Sequence, residues 1–139
     1  MNDAQALSQQ LDQLRFVSGD FPRHLHELRT RAADAKRAFR TISKLVDDRE
    51  AIVALDVKME RDSSNKAVFP NDEARKAETA RRLASDDQYR SLSRTAEDHE
   101  INSTNAALAV QRAEDEYRSH RDRIEMTVAE VHLLINLKP

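Results

Sequence analysis

Apolar residues recur at alternating steps of three and four along most of this 139-residue chain. The longest such run lies in the C-terminal half and comprises Tyr89, Leu92, Ala96, His99, Ser103, Ala106, Val110, Ala113, Tyr117, His120, Ile124, Thr127, Val131 and Leu134. Steps of three and four keep side chains on one face of an α-helix, and their sustained repeat is typical of a coiled-coil seam. The pattern therefore predicts a helix over about 86–136, roughly 75 Å long at 1.5 Å per residue.

A second seam lies in the first half of the chain and comprises Leu25, Leu28, Ala32, Ala35, Phe39, Ile42 and Val46. The next apolar residues fall one position earlier: Leu45, Ile52, Leu55 and Met59. Such a drift is expected when a helix of 3.6 residues per turn is compared with a 3.5-residue repeat. We therefore expect one helix over about 21–61, in which these four residues continue the seam.

A short helix is predicted before the first long one. It covers about 3–17 and places three leucines on one face, namely Leu7, Leu11 and Leu14. Gly19, the only glycine, suits the position that follows a helix end. Asp20 can cap the next helix, with Pro22 in its first turn.

The break between the two long helices contains most of the remaining turn-forming residues. Ser, Asn and Pro cluster in a linker over 62–71. Asn71 or Asp72 can cap a helix that we expect over about 72–84. The next four residues, from Ser85 to Gln88, have the pattern of a capping box and mark either a new helix or a bend in a continuous one.

Two long helices joined by a short break are expected to fold back on each other. The sequence therefore predicts an all-α protein, an elongated antiparallel helical hairpin that is coiled-coil-like. A short N-terminal helix and a short helix at the hairpin end complete a single domain over residues 1–139. Because the seam is rich in Ala and has polar interruptions, few large side chains contribute to it, and we expect a homo-oligomer to bury more of it.

Composition narrows the classes of protein. The chain has no cysteine, so disulfides and thiolate chemistry are excluded. Its N-terminal stretch lacks the pattern of a secretory signal, and no apolar run approaches the roughly 18 residues of a membrane span. We expect a soluble cytoplasmic protein that does not associate with membranes.

Candidate residues for catalysis or metal binding are few. His99 and His120 lie on the seam, but no two histidines have metal-site spacing with an inward carboxylate, so neither a metal nor a cofactor is predicted. No glycine-rich phosphate loop or nucleophile elbow is present, and paired helices offer little concavity to shift a carboxyl pKa. We expect no enzymatic activity.

Charge is distributed unevenly along the first long helix. Residues 21–44 contain seven basic and two acidic residues, whereas residues 47–62 contain three basic and six acidic ones. Rows of exposed cations bind phosphates by charge, although a solvated helix face has the same appearance. The candidate contacts to nucleic acid are Arg29, Lys36, Arg37, Arg40, Lys44, Arg75, Arg81 and Arg82.

The segment that follows the linker carries a resemblance. Its order of residues is Asn71-Asp72-x-x-Arg75-Lys76-Ala77, then Leu83, Asp86, Tyr89 and Leu92, then a long helix that closes near Arg121 and Leu134. This order resembles that of small helical phage proteins encoded near recombination and replication genes. In length and helical content the chain is also similar to the recombination mediators of T-even phages. Those proteins bind single-stranded DNA as ring-forming oligomers and help to load a recombinase.

The resemblance implies a non-enzymatic accessory protein of phage or bacterial DNA recombination or replication. Such a protein would bind single-stranded DNA as an oligomer, through a basic stripe on the first long helix that contains Arg29, Lys36, Arg37, Arg40 and Lys44. A recombination or replication protein would be a further partner. Two other classes fit the same pattern. One is an adaptor or inhibitor that binds a host or phage protein through its long helices, and the other is a coiled-coil scaffold.

Overall fold

The computed structural model describes residues 3–137, without the side chains of Ala4, Phe16, Val17 and Ser18. It contains four α-helices, which are α1 (Asp3–Gly19), α2 (Phe21–Met59), α3 (Asp72–Ser85) and α4 (Asp87–Asn136). The described residues form no strand, and a single isolated bridge joins Arg61 to Ala67. The all-α class and the helical hairpin predicted from the sequence are confirmed.

The chain divides into two compact units. One comprises residues 34–104, and the other combines the described residues up to Ala33 with those from Asn105 onward. Both α2 and α4 contribute to each unit, and the single domain predicted from the sequence stays a prediction.

Within the unit of residues 34–104, α2 and α4 run antiparallel. The phenol of Tyr89 donates a hydrogen bond to Glu50 at 2.8 Å, and further along α4 His99 lines the same groove as Ile42. Later residues of α4 therefore meet earlier residues of α2, as an antiparallel pair requires.

The other unit has the same arrangement of α2 and α4. Arg29 pairs with Glu114 at 2.7 Å, while the Phe21 ring lies 5.7 Å from the Tyr117 ring and 5.2 Å from the His120 ring. Its most buried residues are Ala113 and Thr127, both of which belong to the seam predicted for α4. In this unit α2 and α4 are thus also antiparallel.

The predicted seam residues mostly face a neighbouring helix. Tyr117 is the most exposed of them, with 37% of its surface accessible, although its ring contacts Phe21. The others are partly buried, namely Leu25, Leu28, Phe39, Ile42, Tyr89, Leu92, Val110, Ile124 and Val131.

The predicted drift of the α2 seam is wrong. Val53 and Val57 are buried, whereas the four residues expected to continue the seam are exposed: Leu45 (46%), Ile52 (50%), Leu55 (57%) and Met59 (61%). The helix keeps its original register, and charged residues occupy the next seam positions, because Arg49 and Glu50 find polar partners on the facing helix. A prediction that counts only apolar residues as seam positions omits these charged residues and selects apolar residues on the neighbouring face of α2 instead.

Two helix ends differ in detail from the sequence prediction. Gly19 is the last residue of α1 and has no positive φ, so the expected left-handed helix end is not formed. The helix predicted to reach residue 61 ends at Met59. In the linker, Asn65 adopts φ of 59°, and the Asp62 carboxylate accepts hydrogen bonds from the backbone N–H groups of Ser64 and Lys66. The linker is therefore an ordered turn.

Candidate functional site

The polar residues at the hairpin end form two hydrogen-bonded groups and a set of bonds to the linker, which together we call the clasp. It joins the end of α2 to α3 and to the start of α4. Its members are Arg49, Glu50, Glu60, Arg75, Glu78, Arg82, Asp86 and Tyr89.

Two caps position the helices of the clasp. The Asn71 side chain accepts a hydrogen bond from the Ala74 N–H at 2.8 Å and caps α3, as the sequence predicts. The expected capping box at Ser85 is wrong, because the Ser85 hydroxyl donates backward to the Arg82 carbonyl at 3.1 Å. Asp86 caps α4 instead and accepts from the Tyr89 N–H at 2.9 Å. Hence α3 and α4 are separate helices.

Replacement of Asn71 by Ala is expected to lower the free energy of unfolding by about 1 kcal/mol, since the first turn of α3 loses the acceptor for one N–H group. Chemical denaturation followed by circular dichroism measures this loss. Asn71→Asp keeps an acceptor at the same place and should retain nearly the full stability. An equal loss in both variants would contradict the capping role.

The start of α4 is tied to α2 by two contacts. Arg49 donates from Nε to Asp86 at 3.0 Å, and this bond, together with the Tyr89 backbone N–H, holds the pKa of Asp86 below its ordinary value. One turn further on, the hydrogen bond to Glu50 and partial burial raise the pKa of the Tyr89 phenol. These two contacts set the register of α4 against α2.

Glu78 is the centre of the clasp on α3. Its carboxylate accepts two hydrogen bonds from Arg81, at 2.9 and 2.7 Å, and one from Arg82 at 2.7 Å. These bonds, the Arg81 ones first, lower the pKa of Glu78 from 4.5 to about 2. Arg82 also pairs with Glu60 and thereby ties α3 to the end of α2.

Arg75 and Arg82 hold the linker. Arg75 donates to the carbonyls of Phe69 and Pro70, each at 2.9 Å, and Arg82 lies over the Phe69 ring, 5.8 Å from its centroid. Most polar residues of the segment that resembles phage proteins therefore stabilise the fold. We do not include Arg75 and Arg82 in a phosphate-binding surface.

Three of the cations predicted to contact nucleic acid have no partner within residues 3–137, unlike Arg75 and Arg82. Lys36, Arg40 and Lys44 are exposed and form no hydrogen bond or ion pair with any of the described residues. They follow one another at steps of four, which turns the direction of the side chain by only about 40° per step. We call these three residues the basic row. Arg37 adjoins it and lies 3.5 Å from Asp34.

The remaining predicted cations are engaged within the protein. Arg29 lies 2.7 Å from Glu114, and Arg81 forms the pair of hydrogen bonds to Glu78 described above. The structure thus brings together four of the eight predicted contacts on one stretch of α2, namely Lys36, Arg37, Arg40 and Lys44.

A groove continues from the basic row along the same helix. It has a volume of about 500 Å³, lies between α2 and α3, and includes Lys58 and Lys76 in its wall. Lys58 follows Lys44 by two heptads and so lies on nearly the same face of α2. Asp47 lies between them and interrupts the positive charge. The other residues of the groove are Glu50, Ala54, Asp72, Arg75, Thr79, Ala80 and Leu83.

Residues 3–137 contain no cluster of His, Asp or Glu side chains that could hold a metal ion, and none of their helices could cross a membrane. Comparisons with protein-family models, with curated proteins and with solved structures found no match to this chain. The clasp was missed in the sequence because its members come from three helices and from residues that flank them. The adjacent charges of Arg49 and Glu50 within an apolar seam were the one available signal.

Proposed function

We propose that this protein is a non-enzymatic, cytoplasmic accessory factor of phage or bacterial DNA recombination or replication. It binds the backbone of single-stranded DNA through the basic row on α2 and acts as an oligomer. The observation that carries the proposal is the contrast between the basic row, whose cations have no partners among the described residues, and the arginines of the clasp, which do.

Cations without intramolecular partners are the ones available to a polyanion. Binding phosphate costs Lys36, Arg40 and Lys44 no existing ion pair, whereas Arg81 would have to leave Glu78. The row extends over about 12 Å of helix at 1.5 Å per residue, long enough to meet several phosphates of one strand. Contacts of this kind position the strand without reading its bases, so binding is expected to be nearly independent of sequence.

Reversal of the three charges tests this function. The triple variant Lys36→Glu, Arg40→Glu, Lys44→Glu is expected to bind a labelled single-stranded oligonucleotide at least about 100-fold more weakly than the unmodified protein at about 50 mM salt. Fluorescence anisotropy measures the affinity. For the unmodified protein, three phosphate contacts predict that the logarithm of the binding constant falls with that of the salt concentration with a slope of about −2.

The matched control reverses three arginines of α4 outside the row, Arg112, Arg118 and Arg123, with the same change in net charge. It should keep most of the affinity. An equal loss in both triple variants would show that only overall charge matters. Failure of the unmodified protein to bind at about 50 mM salt would overturn the proposal, because the charge contribution is strong there.

A protein-binding adaptor or inhibitor is the second candidate. Met126 and Leu133 are exposed near the end of α4, and Leu137 is exposed in the turn that follows it. They follow one another at steps of seven and four, and the Leu137 N–H donates to the Leu133 carbonyl, so they share one side of the helix end. Such a face fits an amphipathic helix of a host or phage protein. Capture of such a protein that is lost in Leu133→Glu, together with no binding to DNA, would favour this function.

A further inference from the structure

One flank of α2 in the unit of residues 34–104 exposes large apolar side chains. They are the residues that do not continue the seam, Leu45, Ile52, Leu55 and Met59, and we call them the apolar stripe. Their steps of seven, three and four place them on one face, as in a coiled-coil seam. Each of them keeps between 46% and 61% of its surface accessible. Exposed apolar rows of this kind mark interaction sites.

The same face is hollow toward the start of α2. Ala38 and Thr41 precede Leu45 at steps of three and four, so they extend the apolar stripe with small side chains. They line a groove of about 490 Å³ together with Asp34, Arg37, Ile42 and His99. The face therefore has a groove at one end and three large side chains, Ile52, Leu55 and Met59, at the other.

We propose that this face binds the same face of a second copy of the chain, with the two α2 helices antiparallel. A twofold axis near Asp48 lies midway between Ala38 and Met59. This axis places the large side chains of each copy over the groove of the other copy, so the interface contains the same contact twice. A parallel pair would place large side chains against large ones and leave both grooves empty, so shape favours the antiparallel pair.

Charge favours the same orientation. The groove end of the face carries Arg37 beside Asp34, whereas the other end carries Asp56. Antiparallel packing brings Arg37 of one copy toward the acidic end of the other, while parallel packing opposes like charges. The inference specifies the self-association within the proposed function. Its tests use no DNA, so the two proposals can fail separately.

Single cysteines test the orientation, because the native chain has none. Under mild oxidation Asp48→Cys, at the axis, is expected to cross-link to itself. Ala38→Cys and Met59→Cys are expected to cross-link only when the two variants are mixed, because a disulfide requires Cα atoms within about 7 Å. Ile101→Cys, at an exposed position of α4, is the control that should stay monomeric on a non-reducing gel. Self-cross-linking of Ala38→Cys and Met59→Cys separately would overturn the antiparallel pair.

Molar mass from light scattering tests the interface itself. Ile52→Arg is expected to halve the mass of the unmodified protein, since a charge within the interface cannot be buried without a partner. The control Ile101→Arg, an exposed isoleucine of the same unit, should leave the mass unchanged. Circular dichroism verifies that both variants stay helical. A monomeric unmodified protein, or an unchanged mass for Ile52→Arg, would overturn the proposal.

Discussion

Replacement of Val57 by Ala is expected to lower the free energy of unfolding by about 2 kcal/mol. Val57 is 1% exposed and is the largest fully buried side chain in the described part of the chain. Truncation removes two methyl groups from a packed environment and leaves a cavity that neighbouring side chains fill only in part. Urea denaturation followed by circular dichroism measures the loss.

The control for Val57 lies two residues away. Leu55 is 57% exposed, so Leu55→Ala should change the free energy of unfolding by no more than about 0.5 kcal/mol. Both variants should be measured at a dilution at which the chain is monomeric, because Leu55 belongs to the apolar stripe. A larger loss for Leu55→Ala than for Val57→Ala would restore the register expected from the sequence and contradict the structure.

Acid is expected to weaken the clasp through Glu78. The hydrogen bonds from Arg81 and Arg82 lower the pKa of this carboxyl from 4.5 to about 2, although only 13% of the side chain remains accessible. A group whose pKa is lowered on folding stabilises the folded state above its unfolded pKa. That contribution is lost as the pH falls from 4.5 to about 2.

Glu78→Gln isolates this contribution. The variant should be less stable than the unmodified protein at about pH 7. The difference between the urea midpoints of the two proteins should narrow progressively below about pH 4.5. The stability of the variant should still depend on pH, though less than that of the unmodified protein, because the pKa of Asp86 is also lowered by its bond to Arg49. The double variant Glu78→Gln, Asp86→Asn should remove much of that remainder. A gap of constant size at every pH would contradict the assignment to Glu78.

Much of the fold follows from local patterns. The steps of three and four predicted both long helices, and the linker was recognised from its Ser, Asn and Pro residues. Asn71 was recognised as a cap because its chemistry acts within one turn of the chain. Interactions of this range depend on neighbouring residues alone, which explains why the sequence was sufficient for them.

The candidate site could be predicted from local patterns only in part. Eight cations were equivalent in the sequence, and their differences depend on distant partners such as Glu114 for Arg29 and Glu60 for Arg82. Asp86 was missed as a cap because Ser85 precedes it and has the same capping chemistry. The choice between the two is made by Arg49, which lies 37 positions away in the sequence.

Local patterns were sufficient to predict long amphipathic helices that pair as a hairpin, because a periodic apolar face can be buried only against another such face. The face of α2 that is buried depends on contacts between helices, since Arg49 and Glu50 can occupy seam positions only when Asp86 and Tyr89 meet them. Contacts between helices also determine which cations form ion pairs and which apolar side chains stay exposed. Both depend on the relative placement of residues that are far apart in the chain, and local patterns contain no information about that placement.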